Sequence, residues 1–338
     1  MGDLRFVLIG CGRIGERHAL LIQQYAKLIA VVDIIPDRAK HFSNIFQARN
    51  FDSLQAFLAE KLALDIAVIC TPNGLHATQA IQCLEQGMDV IVEKPVALFK
   101  RDIDAIAVTM LKSGKQVFPI MQNRFNAAII GIKNLLQEEI LGTVYSFQIN
   151  CFWNRPPAYY ANSWHGDKEL DGGILYTQLS HFIDILTWFF GDCEEVKGYI
   201  SKQSEKELDV EDTGVFILKY ANGIIGSVNY TVNAEPKNIE GSFMLTTGKG
   251  TIKIGGTYLN RIEINTTPFV LDLPKTKENE YANYKGSGAY HEEVYQHLLK
   301  VYHSNGPYYT SLKEAEATIR TIEKMYLSAI ACNPLKKI

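Results

Sequence analysis

The sequence lacks paired cysteines. Its six (Cys11, Cys70, Cys83, Cys151, Cys193, Cys332) are scattered with no Cys-x-x-Cys spacing. That excludes the common zinc clusters, offers no disulfide framework, and fits a reducing compartment. No metal site is expected. The sequence also lacks an apolar run long enough to span a bilayer. No basic segment followed by an apolar core stands at the start, so no leader peptide is expected. Charge of one sign is lacking as well. Against 37 Asp and Glu stand 34 Lys and Arg, a formal net charge of −3, which gives no general attraction to nucleic acid or to an anionic membrane. Repeats and low-complexity segments do not occur. What remains is an ordinary globular composition, 47% hydrophobic and 21% charged. The expected location is the cytoplasm, and 338 residues suggest two domains.

The first half alternates strands and helices. Arg5-Phe6-Val7-Leu8-Ile9 runs into Gly10-Cys11-Gly12-Arg13-Ile14-Gly15, and a helical stretch follows. This is G-x-G-x-x-G between a strand and a helix. Gly10 allows the tight turn, Gly12 lets the backbone approach a pyrophosphate, and Gly15 lets helix pack on strand. The helix N-terminus offers N–H groups and the positive end of a dipole. The next strand, 28–33, ends in Asp33 at the spacing that ribose recognition requires. An acid there repels a 2′-phosphate, so NAD is favoured over NADP. Asp33 could equally cap the loop that follows, and Arg38 keeps NADP open. Strands at 65–70, 89–92 and 116–121 end in Thr71-Pro72-Asn73-Gly74-Leu75-His76, in Glu93-Lys94-Pro95, and in Gln122-Asn123-Arg124-Phe125. Polar residues at successive strand ends are what a ligand crevice on a parallel sheet needs.

Those four motifs, in this order, resemble the Gfo/Idh/MocA family of NAD(P)-dependent sugar and sugar-acid oxidoreductases. The resemblance implies that Thr71, Asn73 and His76 line the cofactor, with Pro72 and Gln122 beside them. It further implies that Glu93 contacts the nicotinamide half, that Lys94 is catalytic, and that the bond before Pro95 is cis.

From about residue 125 the alternation stops. Segments 143–153, 196–201, 214–220, 224–232, 242–247, 251–254 and 261–264 read as strands joined by turns such as Ala221-Asn222-Gly223. The predicted fold class is an α/β Rossmann domain over 1–122. An α+β domain with a large, mostly antiparallel sheet is predicted over 123–338. A closing helix over 311–331, begun by a Ser311/Glu314 capping box, is expected to pack back on the first domain. The family resemblance implies that one face of the large sheet pairs subunits into dimers or tetramers.

Two stretches of the second half carry candidate chemistry. The segment 153–166 is dense in aromatic, amide and basic groups. It reads either as an interface loop or as a lid on an anionic sugar derivative. The segment 174–188 reads as one helix capped by Asp171. Its apolar stripe is Leu175, Leu179, Phe182, Ile183 and Leu186, and Thr177, His181 and Asp184 form the opposite stripe, which reads either as a solvent stripe with an incidental histidine or as a functional face. His181 matches the histidine of the family's catalytic helix, which would face the crevice holding Lys94. Candidate substrate contacts are Lys94, Asn123, Arg124, Trp153, Arg155, Tyr159, Trp164, Gln178 and His181, with His291 and Tyr295 in addition.

Oxidising a secondary alcohol removes the hydroxyl proton while hydride leaves carbon. Histidine suits a general base near neutrality, and a lysine beside it stabilises the alkoxide. The catalytic set is therefore Lys94, His181 and Thr177, with the roles of Lys94 and His181 exchangeable. Trp153-x-Arg155-x-x-x-Tyr159-Tyr160, then Ser163-Trp164-x-Gly166, then Asp171-Gly172-Gly173, resemble one branch of the family, the UDP-N-acetyl-glucosaminuronate 3-dehydrogenases of surface-polysaccharide (lipopolysaccharide, O-antigen) synthesis; the resemblance implies oxidation of sugar C3 on a nucleotide-sugar substrate. The chain departs from the family at Thr177, where many members carry Asp and this branch carries Asn, and from the branch at His165, where it tends to have Arg. An inositol or free-sugar dehydrogenase of the same fold is the alternative enzyme. A non-catalytic, NAD-binding regulatory protein is the alternative of another class.

Overall fold

A computed structural model describes residues 4–332, apart from 205, 207, 275–277, 282, 283, 289 and 305. The chain divides into two compact units, one of Met1–Met121 with His291–Glu316, the other of Gln122–Tyr290 with Ala317–Ile338.

The first unit is built on six parallel strands: β1 Arg5–Ile9, β2 Lys27–Val32, β3 Arg49–Phe51, β4 Ile66–Ile69, β5 Asp89–Val92 and β6 Val117–Pro119. Their order is β3-β2-β1-β4-β5-β6. β4 and β5 are buried along their whole length, β4 aliphatic throughout and β5 aliphatic after Asp89, as a sheet covered on both faces demands. Pro119 is tolerated because β6 is an edge strand with one partner. Helices α1 Arg13–Tyr25, α2 Pro36–Phe46, α3 Leu54–Ala59, α4 His76–Glu85 and α5 Lys100–Ser113 connect the strands. Gly87 (φ 79°) ends the α4 region in the left-handed conformation. The register aligns Val32, Ile9, Ile69, Val92 and Pro119 in one row. Gly10, Asp33, Cys70 and Glu93 therefore leave the sheet along one edge, at the carboxyl ends of the strands.

In the second unit, α6 Ala127–Gln137 precedes a large mixed sheet. Its strands are β7 Val144–Phe152, β8 Cys193–Ser201, β9 Thr213–Tyr220, β10 Ile225–Thr231, β11 Glu240–Thr247, β12 Gly250–Gly255 and β13 Arg261–Asn265. The separate hairpin β14 Glu278–Tyr281 and β15 Tyr284–Gly288 follows, and β16 Ala329–Cys332 returns to the large sheet. Its order is β13-β12-β11-β7-β10-β9-β8-β16, antiparallel except for the pairs β7/β10 and β8/β16. Three short helices precede β8: α7 Pro157–Tyr160, α8 Ile174–Thr177 and α9 Ser180–Phe190. Aromatic packing joins α9 to the sheet: Phe190 stacks on Phe147 at 5.6 Å, Phe189 meets Phe243 edge-on, and Phe182 packs on Trp153. Such rings bury large apolar areas and dominate a core. α10 His291–Ser304 and α11 Leu312–Ser328 complete the chain.

Two expectations are corrected here. The closing helix stops at Ser328, and the next residues add β16 to the sheet beside β8. Its capping box is present, with Glu314 N–H donating to Ser311 Oγ at 3.2 Å and Ser311 N–H to Glu314 Oε2 at 2.8 Å. The single helix over 174–188 is instead two. Leu179 N–H reaches back to Ile174 O, and α9 begins anew at Ser180. Nor is there a solvent stripe. Thr177, His181 and Asp184 are all buried, because the polar side of α9 is held by Arg124 and Thr318.

Candidate functional site

In the first unit the glycine turn has the shape its spacing implies. Gly10 has φ 98°, and a Cβ there would lie 2.6 Å from Cys70 O, so only glycine fits. Gly15 lies against Gly10 O, where a Cβ would collide. Gly12 differs, since a Cβ there would meet nothing within 4 Å. The space above this turn is open, and no side chain caps α1. Bare backbone at an uncapped helix N-terminus suits a pyrophosphate. Asp33 is buried and accepts from Cys11 N–H and Ile35 N–H, each at 2.8 Å. It thus fastens the turn as well as capping its own loop. Arg13 and Ile14 open α1 behind that turn. Burial pushes the Cys11 thiol up to about 12. The five cysteines whose side chains are described are buried and free.

The strand-end motifs are braced from within. Thr71 Oγ1 donates to Gln79 Oε1 at 2.6 Å. Pro72 leads into a single 3₁₀ turn, Asn73–Leu75, in which Asn73 is buried. His76 is 1% exposed, and its ring nitrogens contact Pro95 O at 2.7 Å and Thr71 O at 2.8 Å. Burial lowers its pKa although those carbonyls oppose the change. The Lys94–Pro95 bond is cis. Glu93 faces protein. Its Oε1 accepts from His18 Nε2 at 2.9 Å and His291 Nε2 at 3.0 Å, and its Oε2 from Lys94 N–H at 3.1 Å. Burial alone would raise its pKa, but hydrogen bonds and charge from both imidazoles hold it well below the carboxylate range.

In the second unit Gln122 Nε2 lies 3.3 Å from His181 Nε2, so the amide donates and the imidazole nitrogen accepts. An accepting Nε2 is the state a general base needs. Gln122 was expected among the cofactor contacts, and here it orients the histidine. Thr177 donates its hydroxyl to Asp171 Oδ1, and Gly166 N–H donates to Asp171 Oδ2 at 2.7 Å. Asp171 is therefore a carboxylate partner of Thr177 and not the cap of a helix. Arg124 forms a buried two-pronged pair with Asp184 at 2.8 and 2.9 Å and lies over the Trp188 ring. Asn123 beside it is buried.

The aromatic segment gathers most of its expected residues. Arg155 Nη2 and Nε donate to Gln178 Oε1 at 2.6 and 3.1 Å, and the Gln178 amide donates to Tyr159 Oη at 3.1 Å. The Arg155 guanidinium lies over the Trp153 and Tyr159 rings. His165 stacks on Trp164 at 4.0 Å and meets Tyr159 at 4.2 Å. A cavity of about 1140 Å³ opens beside them, lined among others by Tyr160, Trp164, His165, Lys202 and Lys206.

Sequence reasoning passed over two positions. His18 sits on α1 among apolar residues, where its spacing from the glycines was the only signal. Glu211 lies at the end of a loop with no motif. It is fully buried, accepts from Ile174 N–H, Tyr230 Oη and Tyr326 Oη, and is pushed up to about 7 by burial. His291 and Tyr295 are corrected. Both are buried against Glu93 and His18, so they support the strand end from inside.

Sequence profiles match both halves. That of an oxidoreductase family with an NAD-binding Rossmann fold covers residues 4–121. That of the GFO/IDH/MocA C-terminal domain covers 129–253. The chain belongs to the Gfo/Idh/MocA oxidoreductase family. Among family members of known structure, it is similar to the WlbA dehydrogenase from Chromobacterium violaceum, solved with NADH and UDP-GlcNAcA. That match has 34% identity and a TM-score of 0.86 over 96% of this chain and 93% of the other. The WlbA dehydrogenase from Bordetella pertussis, solved with the same pair of ligands, is 31% identical with a TM-score of 0.87, over 96% of each chain. The inositol 2-dehydrogenase of Salmonella typhimurium is 23% identical over 242 residues, 69% of this chain and 68% of its own. The matched profile is of an NAD-binding Rossmann fold, and both WlbA structures hold NADH; the open space at Gly12, the uncapped α1 and the buried Asp33 fit NAD.

Proposed function

We propose that this family member is an NAD-dependent sugar dehydrogenase that oxidises the C3 hydroxyl of a UDP-linked N-acetylamino sugar acid to a ketone, for surface-polysaccharide synthesis in the cytoplasm. The observation that carries this reading is the 31–34% identity, over 96% of the chain, to two dehydrogenases solved with NADH and UDP-GlcNAcA. The Arg155–Gln178–Tyr159 cluster supports it, since it supplies cation, amide and phenol for an acidic sugar.

When bound at the glycine turn, NAD supplies the hydride acceptor. The protein's own residues handle the proton. His181 takes it from the hydroxyl at Nε2, the substrate hydroxyl replacing the Gln122 N–H on that one lone pair. Lys94 stabilises the alkoxide through its ammonium, and the two roles are exchangeable. Thr177, tied to Asp171, orders the helix start ahead of His181. The sheet face carrying exposed Tyr199, Val215, Ile217 and Ile225 supports homo-oligomer formation, because contiguous exposed apolar surface invites a partner.

The test is NADH absorbance on a panel of UDP-linked sugar acids, inositols and free sugars. Reduction is expected with a UDP-linked sugar acid. Reduction only with free polyols would establish the second reading, an inositol or free-sugar dehydrogenase, which the likeness to inositol 2-dehydrogenase favours. Tight NAD binding with no reduction on any substrate would point to the regulatory protein.

A further inference from the structure

Four buried polar side chains converge on the three residues Glu93-Lys94-Pro95, and they come from three helices. His18 lies on α1, His76 on α4, and His291 and Tyr295 on α10. Their exposures are 0, 1, 2 and 1%. A core position normally goes to an apolar side chain, because a buried polar group costs free energy unless it is bonded. Here each of the four is tied to that place, directly or through His18, and His76 also contacts Thr71 O. Glu93 Oε1 takes both the His18 and the His291 Nε2 protons, and Glu93 Oε2 takes the Lys94 N–H. Tyr295 Oη lies 2.8 Å from His18 Nδ1, so a ring carrying its proton on Nε2 accepts the phenol proton on Nδ1. From the other side His76 reaches Pro95 O at 2.7 Å. The set around Glu93 is satisfied: two imidazole Nε2–H groups and a backbone amide donate to one anion. Burial lowers the His291 pKa, and the Glu93 carboxylate opposes the change.

We propose that His18, His76, His291 and Tyr295 are positioning residues that fix the backbone of Lys94 on both sides, through Glu93 and through Pro95. Lys94 then projects from a rigid point, which matters because a long, flexible side chain otherwise loses entropy when it is oriented. The inference rests on the reading of Lys94 as a residue of the site. None of the four residues belongs to the four strand-end motifs except His76, and none needs to touch substrate or cofactor.

His18 Nε2, His291 Nε2 and one Glu93 oxygen also lie within 4.8 Å of one another, a set that could hold a metal ion. The hydrogen bonds account for the same geometry, with each nitrogen at ordinary N–H···O distance from a shared acceptor.

The experiment compares the native chain with His291→Leu, which removes a donor, and His291→Gln, which restores one. Three quantities are read: amide hydrogen exchange at Lys94, kcat per folded molecule, and NADH affinity by fluorescence. In His291→Leu the Lys94 amide should exchange about tenfold faster and kcat should fall about tenfold, with NADH affinity within about twofold. His291→Gln should recover most of both losses. Should His291→Leu fail to fold, Tyr295→Phe should show the same exchange effect at about threefold. The exchange reading needs no substrate, so a native chain that reduces NAD with nothing on the panel would sink the proposed activity and leave this test intact. Unchanged Lys94 exchange in a folded His291→Leu or Tyr295→Phe protein would overturn the proposal. So would a stoichiometric divalent metal in the native protein that is lost from His291→Leu.

Discussion

Each unit buries one carboxylate under two side-chain donors and one backbone N–H, and burial has opposite results. In the first unit Glu93 is held well below the ordinary carboxylate range. In the second, Glu211 rises to about 7. Desolvation raises both, so the donors decide. Imidazoles bring positive charge or a strong N–H dipole to Glu93. Glu211 has phenols, and nearby Asp171 adds negative charge. Hydrogen bonds alone do not keep a buried acid ionised; the charge its donors can carry does. The anion is kept beside Lys94, and the acid near its midpoint sits under the start of α8, ahead of His181.

The largest effect expected is on turnover. Lys94→Ala and His181→Ala should each lower kcat by about 10³-fold while NADH still binds within about threefold and the thermal midpoint holds. A proportional fall in stability would blur the line between scaffold and chemistry that the two carboxylates draw.

The pH dependence of stability sharpens the contrast. Glu211 has its folded pKa raised, so the folded state holds a proton that the unfolded state releases. Stability from this group falls as pH rises from 4.5 to about 7, by about 3 kcal/mol in all. Denaturant titrations between about pH 5 and pH 8 should show that slope, and Glu211→Gln should flatten it. Glu93 has its folded pKa depressed. Its contribution is present above the ordinary carboxylate pKa and is lost as pH falls through the lower folded value. Glu93→Gln should therefore cost about 2 kcal/mol at neutral pH and progressively less in acid. Parallel pH profiles for the two Gln variants would break the comparison.

At the glycine turn, stability and cofactor binding are expected to separate. Gly10→Ala meets Cys70 O and a φ of 98°, and should cost about 2–3 kcal/mol in chemical denaturation. Gly12→Ala meets open space; it should leave stability within about 0.5 kcal/mol yet weaken NADH binding about tenfold by fluorescence titration.

The first unit was largely legible in the sequence. Aliphatic runs at β1, β4 and β5 and the glycines between β1 and α1 have a single reading. The strand β3 Arg49–Phe51 went unread because three half-polar residues at a sheet edge carry neither periodicity nor apolar character. In the second unit the strands followed from alternation and turn residues, while α8 and α9 were misread as one helix. Their pattern is apolar nearly all round, and the break at Leu179 comes from tertiary anchors: Glu211 at Ile174 and Arg124 at Asp184. The buried partners were the least legible. Arg124 resembled a substrate ligand, and pairs internally with Asp184. His291 and Tyr295 resembled substrate contacts; His291 closes on Glu93, and Tyr295 on His18. A polar residue in a string reveals its chemistry but not its partner, and the partner decides whether it faces a ligand or the core.

The central claim, hydride removal from a sugar carbon, is tested most directly with a UDP-linked N-acetylamino sugar acid carrying deuterium at C3. The account predicts that, after one turnover with NAD, mass spectrometry finds deuterium in the reduced cofactor and a ketone at C3, with both signals abolished in His181→Ala. Reduced cofactor without deuterium, or a ketone at another carbon, would contradict it.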